Sequence, residues 1–181
     1  LKEIFSLIFP EFDNLDRLQR LKKICNYIQI NTNILLAVLL IDEKDNHEYF
    51  AHKYNIANNI KKNLNLLAKN LKLSKKNKDF FDKDLEKNIY LNNKNHLVDL
   101  SVLNYVSFTK YKLKDFSEKL RKISQSKTRV FPISGEYLIR KGMQEGLLLG
   151  RVLKIIEEEW IINNFKISKD RIKEIIRLNS N

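Results

Sequence analysis

The chain has 181 residues, with 34 Lys or Arg against 22 Asp or Glu, so its formal net charge at pH 7 is +12. This length can hold one substantial core or two small ones, and 43% hydrophobic with 31% charged residues excludes a disordered or fibrous chain. The basic excess favours a polyanionic partner, although abundant Lys, Asn and Ile are also typical of translation from an AT-rich genome.

The first long segment, residues 13–30, has apolar side chains at helical rather than strand spacing. Asp13 or Asn14 is a suitable cap for its start. Cys25, the single cysteine, falls on the apolar stripe, so we expect it to be a small core residue. A lone thiol excludes an internal disulfide framework and fits a reducing cytoplasm, where we expect this protein to reside.

Residues 33–41 are almost wholly apolar, and Thr32 is a candidate cap for a short helix there. A helix without a polar face is typical of the buried centre of a helical array. The longest apolar run, residues 34–41, is too short to cross a bilayer, and the N-terminus lacks the pattern of a signal peptide. We therefore expect no membrane partner.

The helical spacing continues through most of the following region. Helices are predicted over 44–54, 57–71, 96–106 and 113–123. A turn is predicted after Leu71, followed by a helix capped by Ser74, and the Asn-rich stretch 84–95 is predicted to be a loop or a ragged helix. The polar stretch 124–129 predicts a boundary, so we expect an all-α protein with a helical body, residues 1–125, and a helical tail, residues 126–181.

All four glycines lie in the tail, within residues 135–150. Ser134 is predicted to cap a two-turn helix, with Gly142 just beyond its end, where positive φ suits glycine. A second helix is predicted from Gly146 to Asn163, and Gly146 and Gly150 lie one turn apart, which would let the preceding helix pack closely. A final helix is predicted around Ile172, Ile175 and Ile176.

Few residues form a pattern that suits catalysis or metal binding. His47 and His52 are five apart, whereas a helical metal pair needs a spacing of four, so we expect solvent-facing histidines. His96 is predicted to be a capping or surface residue. Carboxylates in helical contexts, such as the run 157–159, diverge rather than converge on one metal, and we read that run as a solvated face. We therefore expect no catalytic and no metal-binding residues.

Two basic segments are candidates for contact with phosphates. The lysine-rich run 72–78 is either an RNA contact or plain solvated surface. In the tail, free N–H groups at the start of the second helix, the helix dipole and nearby cations favour an anion site. The candidate residues of this site are Ser134, Gly135, Arg140, Lys141, Gly142, Gly146, Gly150, Arg151 and Lys154. The alternative is that the glycines only permit close helix packing.

The tail also carries a family resemblance. It contains Phe131-Pro132-Ile133-Ser134-Gly135, Leu138, Gly142, Gly146, Gly150, Leu153 and Trp160. This pattern resembles the C-terminal end of the bacterial-type tRNA nucleotidyltransferases, which are CCA-adding enzymes and poly(A) polymerases. Upstream, residues 9–18, 35–40 and 71–74 resemble the helical body of the same family. The chain departs from the family pattern at Tyr137, where the family has Asp, and in lacking prolines beside Gly146.

The resemblance implies an RNA-binding body and tail without the catalytic head and neck. The family head needs a glycine-containing loop and an Asp-x-Asp pair, yet no glycine precedes Gly135. Magnesium and nucleotide would belong to that head, so no cofactor is expected in this chain, and alone it is expected to be inactive. The implied partners are tRNA or other RNA and a separately encoded head. The alternatives are a helical protein-interaction module and a non-functional remnant of a split gene.

Overall fold

The computed structural model describes residue 4 and residues 7–42 and 44–179. Ten helices and no strand occur among these described residues, which confirms the all-α prediction. The contacts divide the chain into two compact units, Leu1–Ser126 and Lys127–Asn181, which we call the body unit and the tail unit. This division falls beside the boundary that the polar stretch predicts.

The helices of the body unit are α1 (Arg17–Lys22), α2 (Thr32–Leu40), α3 (Asn46–Lys53), α4 (Asn58–Lys76), α5 (Leu85–Asn92), α6 (Lys94–Ser107) and α7 (Leu113–Gln125). Those of the tail unit are α8 (Gly135–Ile139), α9 (Leu147–Ile162) and α10 (Lys169–Asn179). Each unit has its own cluster of buried apolar side chains.

The centre of the body unit is formed by α2 and α6. The predicted burial is confirmed for most of α2, since Val38 and Leu40 have no exposed surface, although Leu35 is 38% exposed. Its cap is Asn31 rather than Thr32, because the Asn31 side chain accepts from the Ile34 N–H at 2.9 Å. At the other end of α2, Arg17 Nη1 donates to the carbonyls of Val38 and Ile41 at 3.1 and 2.7 Å. A side chain from α1 thus satisfies carbonyls that a helix C-terminus leaves without partners.

Cys25 is exposed, so the prediction that it belongs to the core is wrong. The helical stripe was extended too far: α1 ends at Lys22, and turns follow it. Leu21 and Ile24 are buried, while the Cys25 thiol lies 3.4 Å from the Leu21 carbonyl at the surface. The change from helix to turn alters which side chains face inward.

Helix α4 continues past the turn predicted after Leu71 and ends at Lys76. Ser74 is therefore buried inside a helix instead of capping a new one. Its hydroxyl donates to the Leu71 carbonyl at 3.0 Å and accepts from the Asn104 amide of α6 at 3.1 Å. The polar group is satisfied at the α4–α6 contact, so it does not interrupt the helix. The Asn-rich stretch also forms a regular helix, α5.

In the tail unit, local hydrogen bonds fix both ends of α8. The Ser134 hydroxyl accepts from the Tyr137 N–H at 3.3 Å, which confirms the predicted cap. Gly142, at φ +94°, donates to the Ile139 carbonyl at 2.9 Å, and Met143 donates to the Leu138 carbonyl at 3.2 Å. These paired bonds are a Schellman motif with Gly142 at C′. However, α8 is a five-residue helix, shorter than predicted.

The core of the tail unit joins α8, α9 and α10. Its buried members are Leu138, Met143, Val152, Ile156, Ile172, Ile175 and Ile176, which confirms the predicted final helix. Trp160, 4% exposed, has its ring centroid 5.3 Å from that of Phe131 and 4.8 Å from that of Phe165. Aromatic side chains therefore close one side of this small core.

The prediction of close helix packing at Gly146 and Gly150 is wrong. A Cβ atom at either position would meet no other atom within 4 Å. The glycine in close contact is Gly135, where a Cβ would lie 3.3 Å from the Leu149 side chain.

Candidate nucleic-acid interface

The turn between α8 and α9 encloses a cavity of about 410 Å³, lined by residues 142–148. Gly142 and Gly146 line it and both have positive φ, +94° and +142°. Gly146 precedes α9 and offers no side-chain cap, and in the described part of the chain no acceptor meets the N–H groups of Leu147, Leu148 and Leu149. The start of α9 therefore has the free donors that an anion would need.

The cations predicted for this site are exposed. Arg140, Lys141 and Arg151 have no carboxylate partner among the described residues, and the Lys141 Nζ lies 5.8 Å from the Tyr137 ring centroid. Lys154 instead lies 3.8 Å from Glu158.

The structure does not bring all the predicted residues to the cavity. Those that do not line it are Ser134, Gly135, Arg140, Lys141, Gly150, Arg151 and Lys154. Glu145 does line it, and its carboxylate opposes an anion. The glycine turn is thus an open backbone site, with its positive charges on the neighbouring surface.

A second candidate site, which no pattern in the sequence singles out, lies in the body unit. It is a cavity of about 540 Å³ between the end of α4, the turn after it, and α7, which we call the lysine groove. Its lining residues are Ser74, Lys75, Asn77, Lys78, Phe81, Asp82, Lys110, Tyr111, Asp115, Glu118, Lys119 and Lys122. Five lysines face three carboxylates there, so the groove has an excess of positive charge.

Lys119 is the most perturbed cation of the groove. Its Nζ lies 3.8 Å from the Tyr111 ring centroid and 4.6 Å from that of Phe81, in cation–π contact. Burial lowers the pKa of Lys119 to about 8; Asp115 and Asp82 oppose this effect, and Lys110 adds to it. The Lys119 ammonium is therefore costly to keep charged, and a bound anion would stabilise it.

The other lysines of the groove differ in how they are held. The Lys110 Nζ lies 5.3 Å from the Tyr111 centroid, on the same ring that Lys119 contacts. Lys122 pairs with Asp82 and, at 3.4 Å, with Glu118. Lys78, Lys110 and Lys119 form no ion pair with any described residue. These three charges are available to a ligand.

Part of the lysine groove could be predicted from the sequence. The run 72–78, whose pattern suits either an RNA contact or plain solvated surface, supplies Lys75 and Lys78 to the groove, while Lys72 pairs with Asp45 at 3.0 Å outside it. The remaining cations come from a distant segment, residues 110–122. Only the tertiary contact between the two segments makes them one site.

The histidines are more buried than predicted. His47 is 2% exposed, with its Nδ1 unpartnered, so the expectation of a solvent-facing side chain is wrong for His47, whereas His52 is exposed. His96 is 6% exposed, and its Nε2 lies 2.9 Å from the Asn70 amide nitrogen, so it is no surface residue. Burial lowers the pKa of both His47 and His96, which favours neutral rings.

The acidic run of α9 is only partly a solvated face. Glu159 accepts from Arg171 of α10 through both carboxylate oxygens, with contacts of 2.8 to 3.1 Å.

Within the part of the chain that the structure describes, no group of His, Cys, Asp and Glu is arranged to hold a metal ion. In the same part, no helix combines the length and apolar character needed to cross a membrane. No family model, no curated protein and no solved structure matches this chain.

Proposed function

We propose that this chain binds RNA through its phosphates, as the body and tail of a tRNA nucleotidyltransferase-like or poly(A) polymerase-like protein. In this proposal nucleotidyl transfer belongs to a separately encoded head, and this chain supplies the grip on tRNA or another RNA. The observation that carries the proposal is the lysine groove, where Lys78, Lys110 and Lys119 hold positive charge without carboxylate partners.

The groove suits a phosphate backbone better than a base. The Tyr111 ring is contacted by two ammonium groups, those of Lys110 and Lys119, and Phe81 is 7% exposed. Because Phe81 is buried and the Tyr111 ring is already in contact with two cations, we expect cations rather than aromatic surface to make the contacts. Such contacts position RNA and do not read its sequence.

The glycine turn supports a second, weaker phosphate contact. The free N–H groups at the start of α9 and the exposed side chains of Arg140 and Lys141 favour an anion, whereas Glu145 opposes it. Contacts on both units would give affinity that falls steeply with salt, because each phosphate neutralised releases counterions.

The test is the salt dependence of tRNA binding by the whole chain. Lys78→Ala with Lys110→Ala is expected to weaken binding and to reduce the slope of log K against log salt by about 1 to 2. The matched control is Lys62→Ala with Lys69→Ala, which removes the same charge from exposed positions on α4 outside the groove. The control is expected to change binding much less.

The proposal fails if the groove variant and the control lose the same affinity, or if the chain binds tRNA no better than heparin. The loss of tRNA affinity in Arg140→Ala with Lys141→Ala measures how much the tail unit contributes to binding. Co-purification of the chain with a nucleotidyltransferase head tests the second half of the proposal, and restoration of nucleotide addition on mixing the two chains would support it.

A further inference from the structure

Helix α9 carries apolar side chains on its outer side as well as on its inner side. Val152 and Ile156 are buried in the tail-unit core. Leu148, Ile155 and Ile162 are 43%, 40% and 72% exposed. Because they are spaced by seven residues, about two helical turns, they lie along one line, which runs beside the buried face of the helix.

Two opposite charges alternate with these apolar side chains. Arg151 lies three residues after Leu148, and Glu158 lies three residues after Ile155. An apolar line with opposite charges beside it is typical of paired helices, in which flanking charges form interhelical salt bridges. We define the α9 stripe as Leu148, Arg151, Ile155, Glu158 and Ile162.

The α9 stripe is complementary to itself when reversed. Ile155 is near the middle of Leu147–Ile162, with Leu148 seven residues before it and Ile162 seven residues after it. Reversal about Ile155 brings Arg151, four residues before it, within one residue of the level of Glu158, three residues after it. We propose that α9 pairs antiparallel with α9 of a second copy of this chain, with Ile155 against Ile155, Leu148 against Ile162 and Arg151 against Glu158.

The charges select this partner and this orientation. In the antiparallel dimer each Arg151 meets a Glu158, and two-fold symmetry forms the pair twice. In a parallel dimer Arg151 would meet Arg151 and Glu158 would meet Glu158, which is repulsive. Arg151 has no carboxylate partner in the described chain, and the 3.8 Å contact of Glu158 with Lys154 is exposed and weak.

Sedimentation equilibrium of the full chain tests the pairing. The wild-type chain is expected to be a dimer, and Ile155→Asp is expected to make it monomeric because it would place two carboxylates at the symmetry axis. Ile155 is partly exposed, so this variant should keep its helical circular dichroism. In a Cys25→Ser background, which removes the exposed native thiol, Ile155→Cys is expected to form a covalent dimer on oxidation.

A charge exchange tests the orientation. Arg151→Glu is expected to weaken the dimer by at least about tenfold, and Arg151→Glu with Glu158→Arg is expected to restore it. Arg177→Glu, the same charge change at an exposed position of α10, is the control and should leave the dimer intact. A monomeric wild-type chain up to its solubility limit overturns the proposal, as does a dimer unaffected by Ile155→Asp. Failure of the double exchange to restore the dimer overturns the antiparallel register.

Discussion

The guanidinium of Arg20 donates to the main-chain carbonyl of Tyr105 from Nε and Nη2, at 2.9 and 2.5 Å, while its Cζ lies 4.5 Å from the centroid of the Tyr105 ring. The same Nη2 also reaches the carbonyls of Phe108 and Tyr111, at 3.3 and 2.9 Å. These carbonyls lie at and beyond the C-terminus of α6, where a positive charge is favoured. Arg20 thereby fixes the turn that carries Tyr111 into the lysine groove.

Arg20→Lys is expected to lower the free energy of unfolding by about 2 to 3 kcal/mol, because an ammonium cannot reproduce the planar set of donors. Urea denaturation followed by circular dichroism measures the change. The matched control is Arg121→Lys, since Arg121 is exposed and its Nη1 donates to Gln125 Oε1 at 3.0 Å rather than to a set of carbonyls. An equal decrease in the free energy of unfolding in both variants would contradict the structural role of Arg20.

The affinity of the chain for tRNA is expected to fall as pH rises from about 7 to 9. An anion favours the charged form of Lys119, whose pKa is lowered to about 8, so binding must take up a proton once the pH exceeds that value. Calorimetry in buffers of different ionisation enthalpy measures this uptake.

The variant Lys119→Arg shows how much of the pH dependence of tRNA binding comes from Lys119 and how much from other titrating groups. Arginine stays charged throughout this pH range, so the variant is expected to lose most of the pH dependence while retaining binding at pH 7. An unchanged pH profile in this variant would show that another group controls it.

Asp99→Asn is expected to stabilise the protein at pH 7 by about 1 to 3 kcal/mol. Burial raises the pKa of Asp99 to about 6 from its ordinary 3.8, so the folded chain binds more protons than the unfolded chain between those values. Stability therefore falls as the pH rises through this window, and the ionised carboxylate remains costly above it.

The midpoints of urea denaturation at pH 4 and pH 7 test whether the effect of Asp99 on stability changes with pH in this direction. The gain from Asp99→Asn should be small at pH 4 and full at pH 7. The exposed Asp13 provides the control variant, Asp13→Asn, for which little change is expected. If Asp99→Asn increased the stability equally at both pH values, the cost of burying the ionised carboxylate could not be the cause of the increase.

Two glycines of the tail unit are expected to respond oppositely to alanine. Gly142→Ala should destabilise by about 1 to 2 kcal/mol, because φ is +94° at this C′ position. Gly150→Ala should stabilise by about 0.5 to 1 kcal/mol, because Gly150 lies within α9 and a Cβ there meets open space. Thermal unfolding of both variants measures the difference. Destabilisation by Gly150→Ala would contradict the prediction and would indicate that another segment packs closely against Gly150.

Features that rest on neighbouring residues could be predicted from the amino-acid sequence. Ser134 caps α8 through a bond three residues along, and Gly142 ends that helix with bonds to carbonyls only a few residues back. Most of the apolar run 34–41 is buried, although Leu35 within it is 38% exposed. Such features follow from the helical repeat and the hydrogen-bonding needs of helix ends, so they can be read locally.

Features that depend on which segments meet could not be predicted in this way. Contact with Asn104 lets Ser74 remain inside α4, and early termination of α1 leaves Cys25 at the surface. The lysine groove exists because α7 brings Lys119 beside Phe81, far away in the chain. The burial and charge of a side chain depend on distant neighbours through packing and desolvation, and neither is encoded in local spacing.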